Sequence, residues 1–157
     1  MYKRQEELSG MQGELIGVSS GFTAIDGLTQ GLQKEDLIVI AGRPSMGKTS
    51  LAMNIAENVA KKNEGCVAVF SLEMSSQSLT QRMLASMAGI SQSNVKSANL
   101  TDRQWDKIAK QTKNMNDLNI FVDDTPNISP MEIRAKSRRL AKQFRNSGGL
   151  NLSLIHI

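Results

Sequence analysis

The sequence predicts an α/β fold in which a parallel sheet is flanked by helices. From Leu37 onwards, short apolar runs rich in β-branched residues alternate with segments of helical periodicity, which is the pattern of repeated βαβ units. A glycine-bracketed lysine, Lys48, lies between the first apolar run and the first helical segment. The 157 residues suffice for one ordinary domain with a real core.

Four apolar runs are predicted to be strands, and residues 1–36, which are polar and rich in glycine, are expected to hold few long elements. The predicted strands are residues 37–41, 66–71, 118–122 and 150–157. Two helices between them carry apolar stripes that we expect to face the core. These stripes are Leu51, Ile55 and Val59, with alanines beside them, in the helix over 47–62, and Leu79, Met83 and Met87 in the next helix.

Two further helices are predicted from their start signals. Thr101 with Gln104, and Ser129 with Glu132, have the spacing of a capping box. Pro130 occupies a first helical position, where its missing N–H costs nothing. The residues before these caps, Leu100 and Ile128, are placed to pack on Trp105 and Ile133, and we expect Trp105 to be a core residue.

Composition excludes several classes of protein. No apolar run approaches the roughly 18 residues of a membrane span, and the first residues lack the apolar region of a secretory signal. Cys66 has no possible disulfide partner, so we expect a reducing, cytoplasmic setting. The formal charge of +4 permits contact with nucleotide or nucleic acid without demonstrating it.

The segment GRPSMGKT, residues 42–49, matches the P-loop pattern G-x-x-x-x-G-K-[ST] between a predicted strand and a predicted helix. Such a loop binds a phosphate group through successive backbone N–H groups and the positive end of the helix dipole. The alternative is a glycine turn with an exposed lysine. The residues expected to bind nucleotide are Gly42, Arg43, Pro44, Ser45, Met46, Gly47, Lys48, Thr49 and Ser50.

Two of these residues have distinct chemical roles. Lys48 is placed to reach the β- and γ-phosphate oxygens of ATP, and the Thr49 hydroxyl can bind a Mg²⁺ ion that bridges those phosphates. Arg43 is either a contact or a solvated loop residue. The sequence therefore predicts ATP and Mg²⁺ as ligands.

Carboxylates follow two of the predicted strands. Ligands of open α/β sheets lie beyond the carboxyl ends of the strands, so Glu73 should border the phosphate site. A carboxylate there can orient or deprotonate the attacking water. Alternatively, Glu73 only stabilises the start of the next helix. Asp123 and Asp124 either line the same edge or form turns and caps.

These motifs together resemble the C-terminal motor domain of DnaB-type replicative DNA helicases, a RecA-like P-loop NTPase. The resemblance covers about residues 12–144. It is carried by SGFTAIDGLTQGL, LIVIAGRPSMGKTSLAMNIA, VFSLEMS, NLT before the tryptophan helix, and DDTPNISPMEIRAKSRRL.

The resemblance implies a function as well as a fold. It implies that Lys48 and Thr49 bind ATP and Mg²⁺ and that Glu73 activates water. It also implies a homohexameric ring with ATP between neighbouring subunits and an arginine finger from the adjacent one. Single-stranded DNA in the central channel, a primase and a helicase loader are the implied partners, in the cytoplasm.

The C-terminal segment GGLNLSLIHI departs from the family pattern. The family places there a strand that ends in an aspartate, and this sequence has Ser153 inside the strand and His156 near the position of the acid. We expect residues 1–14 to be a linker or non-native lead, residues 15–152 a RecA-like ATPase domain incomplete at the C-terminus, and residues 153–157 a non-native tail. His156 lacks the companions of a metal site.

Alternatives to a helicase motor also fit parts of the sequence. A RecA-like recombinase or a regulatory ATPase would have the same P-loop. A nucleotide-binding fragment that does not hydrolyse ATP would also need only the P-loop. The last predicted helix carries a basic face, which is either a DNA contact or an ordinary solvated surface. Its residues are Arg134, Arg138, Lys142 and Arg145.

Overall fold

Residues 15–62 and 66–145, together with the backbone of residues 152–156, are described by the structure, which is a computed structural model. The chain forms two compact units, the first ending at Val39 and the second beginning at Ile40. The predicted lead over residues 1–14 lies outside the described residues.

Within its described residues, 15–39, the first unit contains one short helix, α1, Thr23–Thr29. A backbone bridge joins the segments before and after this helix. Val18 and Leu32 exchange antiparallel hydrogen bonds of 2.8 and 2.7 Å. A Cβ at Gly17 would lie 2.5 Å from the carbonyl oxygen of Leu32, so only glycine allows the two backbones to approach this closely.

A buried carboxylate, Asp26, fixes the segment that leads into α1. Its Oδ1 accepts hydrogen bonds from the Ser20 amide at 2.8 Å and the Ser20 hydroxyl at 2.6 Å, and its Oδ2 accepts from the Ser19 hydroxyl at 2.7 Å. Burial raises the pKa of Asp26, but these hydrogen bonds outweigh that effect and hold the pKa below its usual value. The ionised carboxylate therefore stabilises the first unit.

We expect the Asp26→Ala variant to destabilise the first unit by about 1.5–3 kcal/mol, because it leaves buried donors without their charged acceptor. The pKa of Asp26 is lower in the folded state than in the unfolded state. Asp26 therefore stabilises the folded unit fully at pH values above its unfolded-state pKa. This stabilisation is lost as the pH falls below about 4. Hydrogen exchange of residues 17–32 measures the effect, and Asp36→Ala, which removes an exposed acid from the same unit, is the control. Equal exchange in both variants would contradict the assignment.

The prediction of a strand over residues 37–41 is wrong. These residues have irregular backbone, and Leu37 and Val39 are 90% and 76% exposed. A strand exists through hydrogen bonds to a neighbouring strand. The three strands in the described part of the chain pair with one another and leave this run without a ladder.

The second unit consists of helices around a three-stranded parallel sheet. In the part of the unit that the structure describes, three successive helices lie between the first and second strands, and one helix lies between the second and third. In chain order the elements are α2 Lys48–Lys61, β1 Cys66–Phe70, α3 Ser76–Ala88, α4 Gln92–Lys96, α5 Asp102–Asn116, β2 Ile120–Asp123, α6 Pro130–Arg145 and β3 Leu152–His156.

Strand β1 lies in the middle of the sheet, in the order β2-β1-β3. All five of its residues are buried, which explains why the run CVAVF is continuously apolar. Val67 pairs with Ile120 on one side, and Ala68 pairs with Leu154 on the other. The predictions of strands over 66–71, 118–122 and 150–157 are confirmed with shifted ends.

The two faces of β1 are covered separately. On one face, Ala68 and Phe70 pack with Ile128. Two residues of α6, Ile133 and Leu140, pack against this cluster. The predicted packing of Ile133 near Ile128 at the start of α6 is thus confirmed. The intervening residues of β1 point to the opposite face and are also buried. Helix α2 contacts all three strands.

The buried face of α2 differs from the predicted stripe. Leu51 and Ile55 are only half-buried, whereas Ala52 and Ala56 are buried with Val59. Met53 is also buried, so the buried face of α2 combines small alanines with Met53 and Val59.

Helices α3 and α5 pack together on a second small core that contains Ala88, Ile90 and Ile108. The stripe of α3 is confirmed at Leu79 and Met83, which are fully or nearly fully buried. The prediction of Trp105 as a core residue is wrong. Trp105 is 50% exposed, because the buried and half-buried stripe of α5 runs through Gln104, Ile108, Gln111 and Met115 and passes to one side of it.

Both predicted capping boxes are confirmed. The Thr101 amide donates to Gln104 Oε1 at 2.9 Å, and the Ser129 amide donates to Glu132 Oε2 at 2.8 Å. The Glu132 amide returns a hydrogen bond to the Ser129 hydroxyl at 3.2 Å. Hydrogen bonds from Ser129 hold the pKa of Glu132 below its usual value, so this cap stays ionised near neutral pH.

Within the described residues, no helix combines the length and the apolar sequence that a membrane span needs. Cys66 is buried in β1, and burial raises the pKa of its thiol to about 11. The thiol is therefore protonated at neutral pH and serves as a packing group.

Candidate nucleotide-binding site

A tight turn forms the first part of the predicted phosphate loop. The Met46 amide donates to the Arg43 carbonyl at 3.3 Å. Pro44 restricts φ at the second position of the turn, and Ser45 has a left-handed φ of 64° at the third, which matches the type II pattern. Left-handed non-glycine residues are strained, and such strain concentrates at ligand-binding loops.

Gly47 forms the junction between the loop and α2. Its φ of 86° is left-handed, and it supplies no side-chain cap to the helix. The first hydrogen bond into α2 runs from the Leu51 amide to the Gly47 carbonyl at 2.9 Å, and the first turn of the helix contains no acidic residue. The preceding amides, together with the helix dipole, therefore favour an anion at this end.

Lys48 lies over the loop. A Cβ built on Gly42 would lie 3.4 Å from Cγ of Lys48, so the aliphatic stem of the lysine packs against the glycine backbone. A larger residue at position 42 would crowd that stem. Lys48 is exposed, and its ammonium group adds positive charge beside the free helix amides.

Thr49 is half-buried in the first turn of α2, directly after Lys48. Its hydroxyl oxygen is a hard ligand of the kind that Mg²⁺ prefers. Within residues 15–62 and 66–145, no group of three or more His, Cys, Asp or Glu residues is arranged to hold a metal ion. At this end of α2 the Thr49 hydroxyl offers one ligand of the type that Mg²⁺ takes.

Glu73 lies exposed in the loop between β1 and α3, at the carboxyl edge of the sheet. The Ser71 hydroxyl closes this loop: it donates to the Met74 carbonyl at 2.7 Å and accepts from the Met74 amide at 3.1 Å. Ser75 caps α3 by accepting from the Ser78 amide at 3.3 Å. Ser75 thus provides the side-chain cap of α3, and the role of Glu73, in catalysis or at the start of this helix, stays a prediction.

The two acids that follow β2 make structural contacts. Asp123 forms an ion pair with Lys136 of α6 and accepts from the Thr125 amide at 3.0 Å. Partial burial raises the pKa of Asp123, and these partners outweigh it, so the pKa lies below its usual value. Asp124 Oδ2 accepts from the Ser76 amide at 2.7 Å, which lowers the pKa of Asp124. Of the two readings left open for these acids, the structure supports turn and cap formation.

An arginine that the sequence analysis did not single out joins α3 to α2. Arg82 Nη1 donates to the Ser50 hydroxyl at 3.0 Å, and the Ser86 hydroxyl donates to Asn54 Oδ1 at 3.2 Å further along the same two helices. The loop that carries Glu73 therefore leads into a helix attached to the first turn of α2. The position of Arg82 beside the buried stripe of α3 was the signal available in the sequence.

His156 and the predicted basic face lie on different elements, β3 and α6. The backbone of His156 pairs with Phe70, at the same edge of the sheet as Glu73. Arg134, Arg138 and Lys142 are exposed on α6, and the side chain of Arg145 lies outside the described residues.

A cavity of about 250 Å³ lies between the sheet and α6, away from the phosphate loop. Asp123 and Lys136 line it together with Phe121 and Leu140. Its lining includes none of the predicted nucleotide-binding residues. Residues 42–48 of the predicted phosphate loop are instead exposed.

Comparison with protein families places residues 17–156 on the family described as DnaB-like helicase C terminal domain. Replicative DNA helicase DnaC of Bacillus subtilis (strain 168) is 43% identical over 154 residues. The match covers 98% of this chain and 33% of that protein. The chain thus spans about a third of the length of this curated relative.

Solved structures are similar as well. An ATPase domain of known structure matches with a TM-score of 0.87 and 29% sequence identity, over 99% of this chain and 54% of that one. A structure of a DnaB-like replicative helicase and its interactions with primase matches with the same TM-score and identity, over 99% of this chain and 37% of that one. The mixed α/β arrangement around a small parallel sheet is therefore shared with these proteins.

Proposed function

The chain belongs to the family of DnaB-like helicase C-terminal domains, and from this premise we propose that it forms part of the ATP-driven motor of a replicative DNA helicase. In this proposal the fold is a RecA-like P-loop NTPase fold. The motor binds and hydrolyses ATP, translocates on single-stranded DNA and unwinds the duplex during replication.

The arrangement of residues 42–50 is the observation that carries the proposal. A strained turn, a left-handed Gly47 and an uncapped α2 present backbone N–H groups at one end of a helix. The stem of Lys48 lies across Gly42 beside them. Such a concentration of donors and positive charge suits the β- and γ-phosphates of a nucleotide.

The proposed division of labour follows from the chemistry of each side chain. Lys48 would stabilise charge on the phosphate oxygens, and the Thr49 hydroxyl would be a ligand of Mg²⁺, which supplies further charge neutralisation when bound. Glu73 would accept a proton from the attacking water. Arg82 would keep the helix that follows Glu73 attached to α2 through Ser50.

The assembly and the partners are also part of the proposal. Relatives of this chain are named replicative DNA helicases, and one similar structure concerns interactions with primase. We extend to this protein a homohexameric ring, an arginine finger from the adjacent subunit, single-stranded DNA in the channel, and contacts with a primase and a loader. We also propose that the protein acts on replicating DNA in the cytoplasm, the setting predicted from the sequence.

Titration of the 157-residue chain with a fluorescent ATP analogue tests nucleotide binding directly. We expect saturable binding that ATP competes away and that EDTA weakens, because the phosphate charge is then neutralised less completely. For the chain by itself we expect little stimulation of hydrolysis by DNA. A flat titration would contradict the proposal.

A further inference from the structure

The loop that carries Glu73 is held by the strand next to it in the sheet. The Ser71 amide donates to the Asp123 carbonyl at 2.9 Å, where β1 and β2 both end. The Ser71 hydroxyl then closes the loop onto Met74. These bonds hold the loop at Ser71 and at Met74, on either side of Glu73. The end of the loop that follows Met74 is positioned by the start of α3.

Asp124 holds that far end. Its Oδ2 lies 2.7 Å from the Ser76 amide, the first residue of α3, although the two residues are far apart in the chain. A carboxylate that accepts from a helix N-terminal amide forms a short, charge-assisted hydrogen bond. Ser75 already provides the local cap of this helix, so the additional bond from Asp124 joins α3 to the end of β2.

The two consecutive acids therefore have separate partners. Asp123 pairs with Lys136 of α6, on one side, and Asp124 bonds to the start of α3, on the other. Because the carboxylate of Asp123 is paired with Lys136, it is not available to accept the hydrogen bond of the Ser76 amide in place of Asp124. The end of β2 thus orients the short loop from both sides of Glu73.

We infer that Asp124 is a positioning residue for Glu73: by holding the N-terminus of α3 against the end of β2, it keeps the glutamate in the orientation needed for hydrolysis. This inference rests on the proposed function, in which Glu73 activates water. A displacement of about 1 Å in a reacting group can reduce the rate by about 100-fold. Loss of Asp124 should therefore affect turnover and leave the phosphate loop intact.

The test measures ATP hydrolysis and nucleotide affinity in the full-length helicase that contains this segment. We expect Asp124→Ala to lower kcat by about 10- to 100-fold with little change in nucleotide Kd. Asp124→Asn should retain most of the activity, because its amide oxygen can still accept from the Ser76 N–H. Asp106→Ala, which removes an exposed acid from α5, is the matched control.

A double variant separates positioning from general destabilisation. If Asp124 acts through Glu73, adding Asp124→Ala to Glu73→Gln should lower the residual rate no further. A normal kcat in Asp124→Ala, an Asp124→Asn variant as slow as Asp124→Ala, an equal loss of nucleotide affinity, or additive rate losses would each overturn the inference. A wild-type protein that hydrolyses no ATP would overturn the proposed function and this inference with it.

Discussion

Replacing Lys48 by alanine is expected to abolish ATP-dependent unwinding by the full-length helicase. The stem of Lys48 packs on Gly42, and its ammonium group would be the mobile positive charge of the phosphate loop. A hydrogen bond to a charged group contributes about 1.5–3 kcal/mol, which corresponds to a loss of about 10- to 150-fold in nucleotide affinity. Loss of charge stabilisation in the transition state should lower hydrolysis by a further factor of about 100 or more.

The matched control for this variant is Lys62→Ala, which removes the same charge from the residue that follows α2 at its other end. Both lysines are exposed, so both variants should fold, and thermal unfolding checks this. Nucleotide titration, ATPase rate and strand separation are then compared. Normal unwinding by Lys48→Ala would show that the loop over residues 42–50 is not the phosphate site.

Replacing Glu73 by glutamine should separate binding from hydrolysis. Glutamine has the shape of glutamate and cannot accept a proton from water, so kcat is expected to fall by about 10²- to 10⁴-fold. The exposed position of Glu73 and the cap provided by Ser75 indicate that folding should not change. The nucleotide Kd should stay near that of the wild type, since the phosphate loop is untouched.

Glu35→Gln is the control for this second variant, because Glu35 is also an exposed loop glutamate and lies outside the proposed site. Single-turnover hydrolysis measures the chemical step, and equilibrium titration measures affinity. If Glu73→Gln hydrolysed ATP at the wild-type rate, the glutamate would have only a structural role and another group would have to activate the water.

Features encoded within a few residues were predictable from the sequence. The boxes at Thr101 and Ser129 depend on partners three positions away, so the pattern alone identifies them. The turn and the left-handed Gly47 of the predicted phosphate loop likewise follow from local backbone preferences, while phosphate binding by residues 42–50 stays a prediction. Buried strand β1 could be recognised because a central parallel strand must be apolar on both faces.

Features that depend on distant partners were not predictable in the same way. The apolar run over residues 37–41 has the composition of a strand, but composition does not provide a neighbour for its ladder. Trp105 lies on the solvated side of a helix whose buried side is set by contact with α3. The bonds from Arg82 to Ser50 and from Asp124 to Ser76 join segments whose proximity only the tertiary fold creates.

The central place of β1 has a consequence for how the second unit folds. Its five residues are buried between β2, which begins only at Ile120, and β3, which begins at Leu152. At translation rates of about 5–20 residues per second, the apolar stretch CVAVF would leave the ribosome several seconds before either neighbour. Closing such long segments is entropically slow, and an unpaired apolar strand is prone to aggregate. Strand β1 is therefore open to aggregation during synthesis until its two neighbours have left the ribosome.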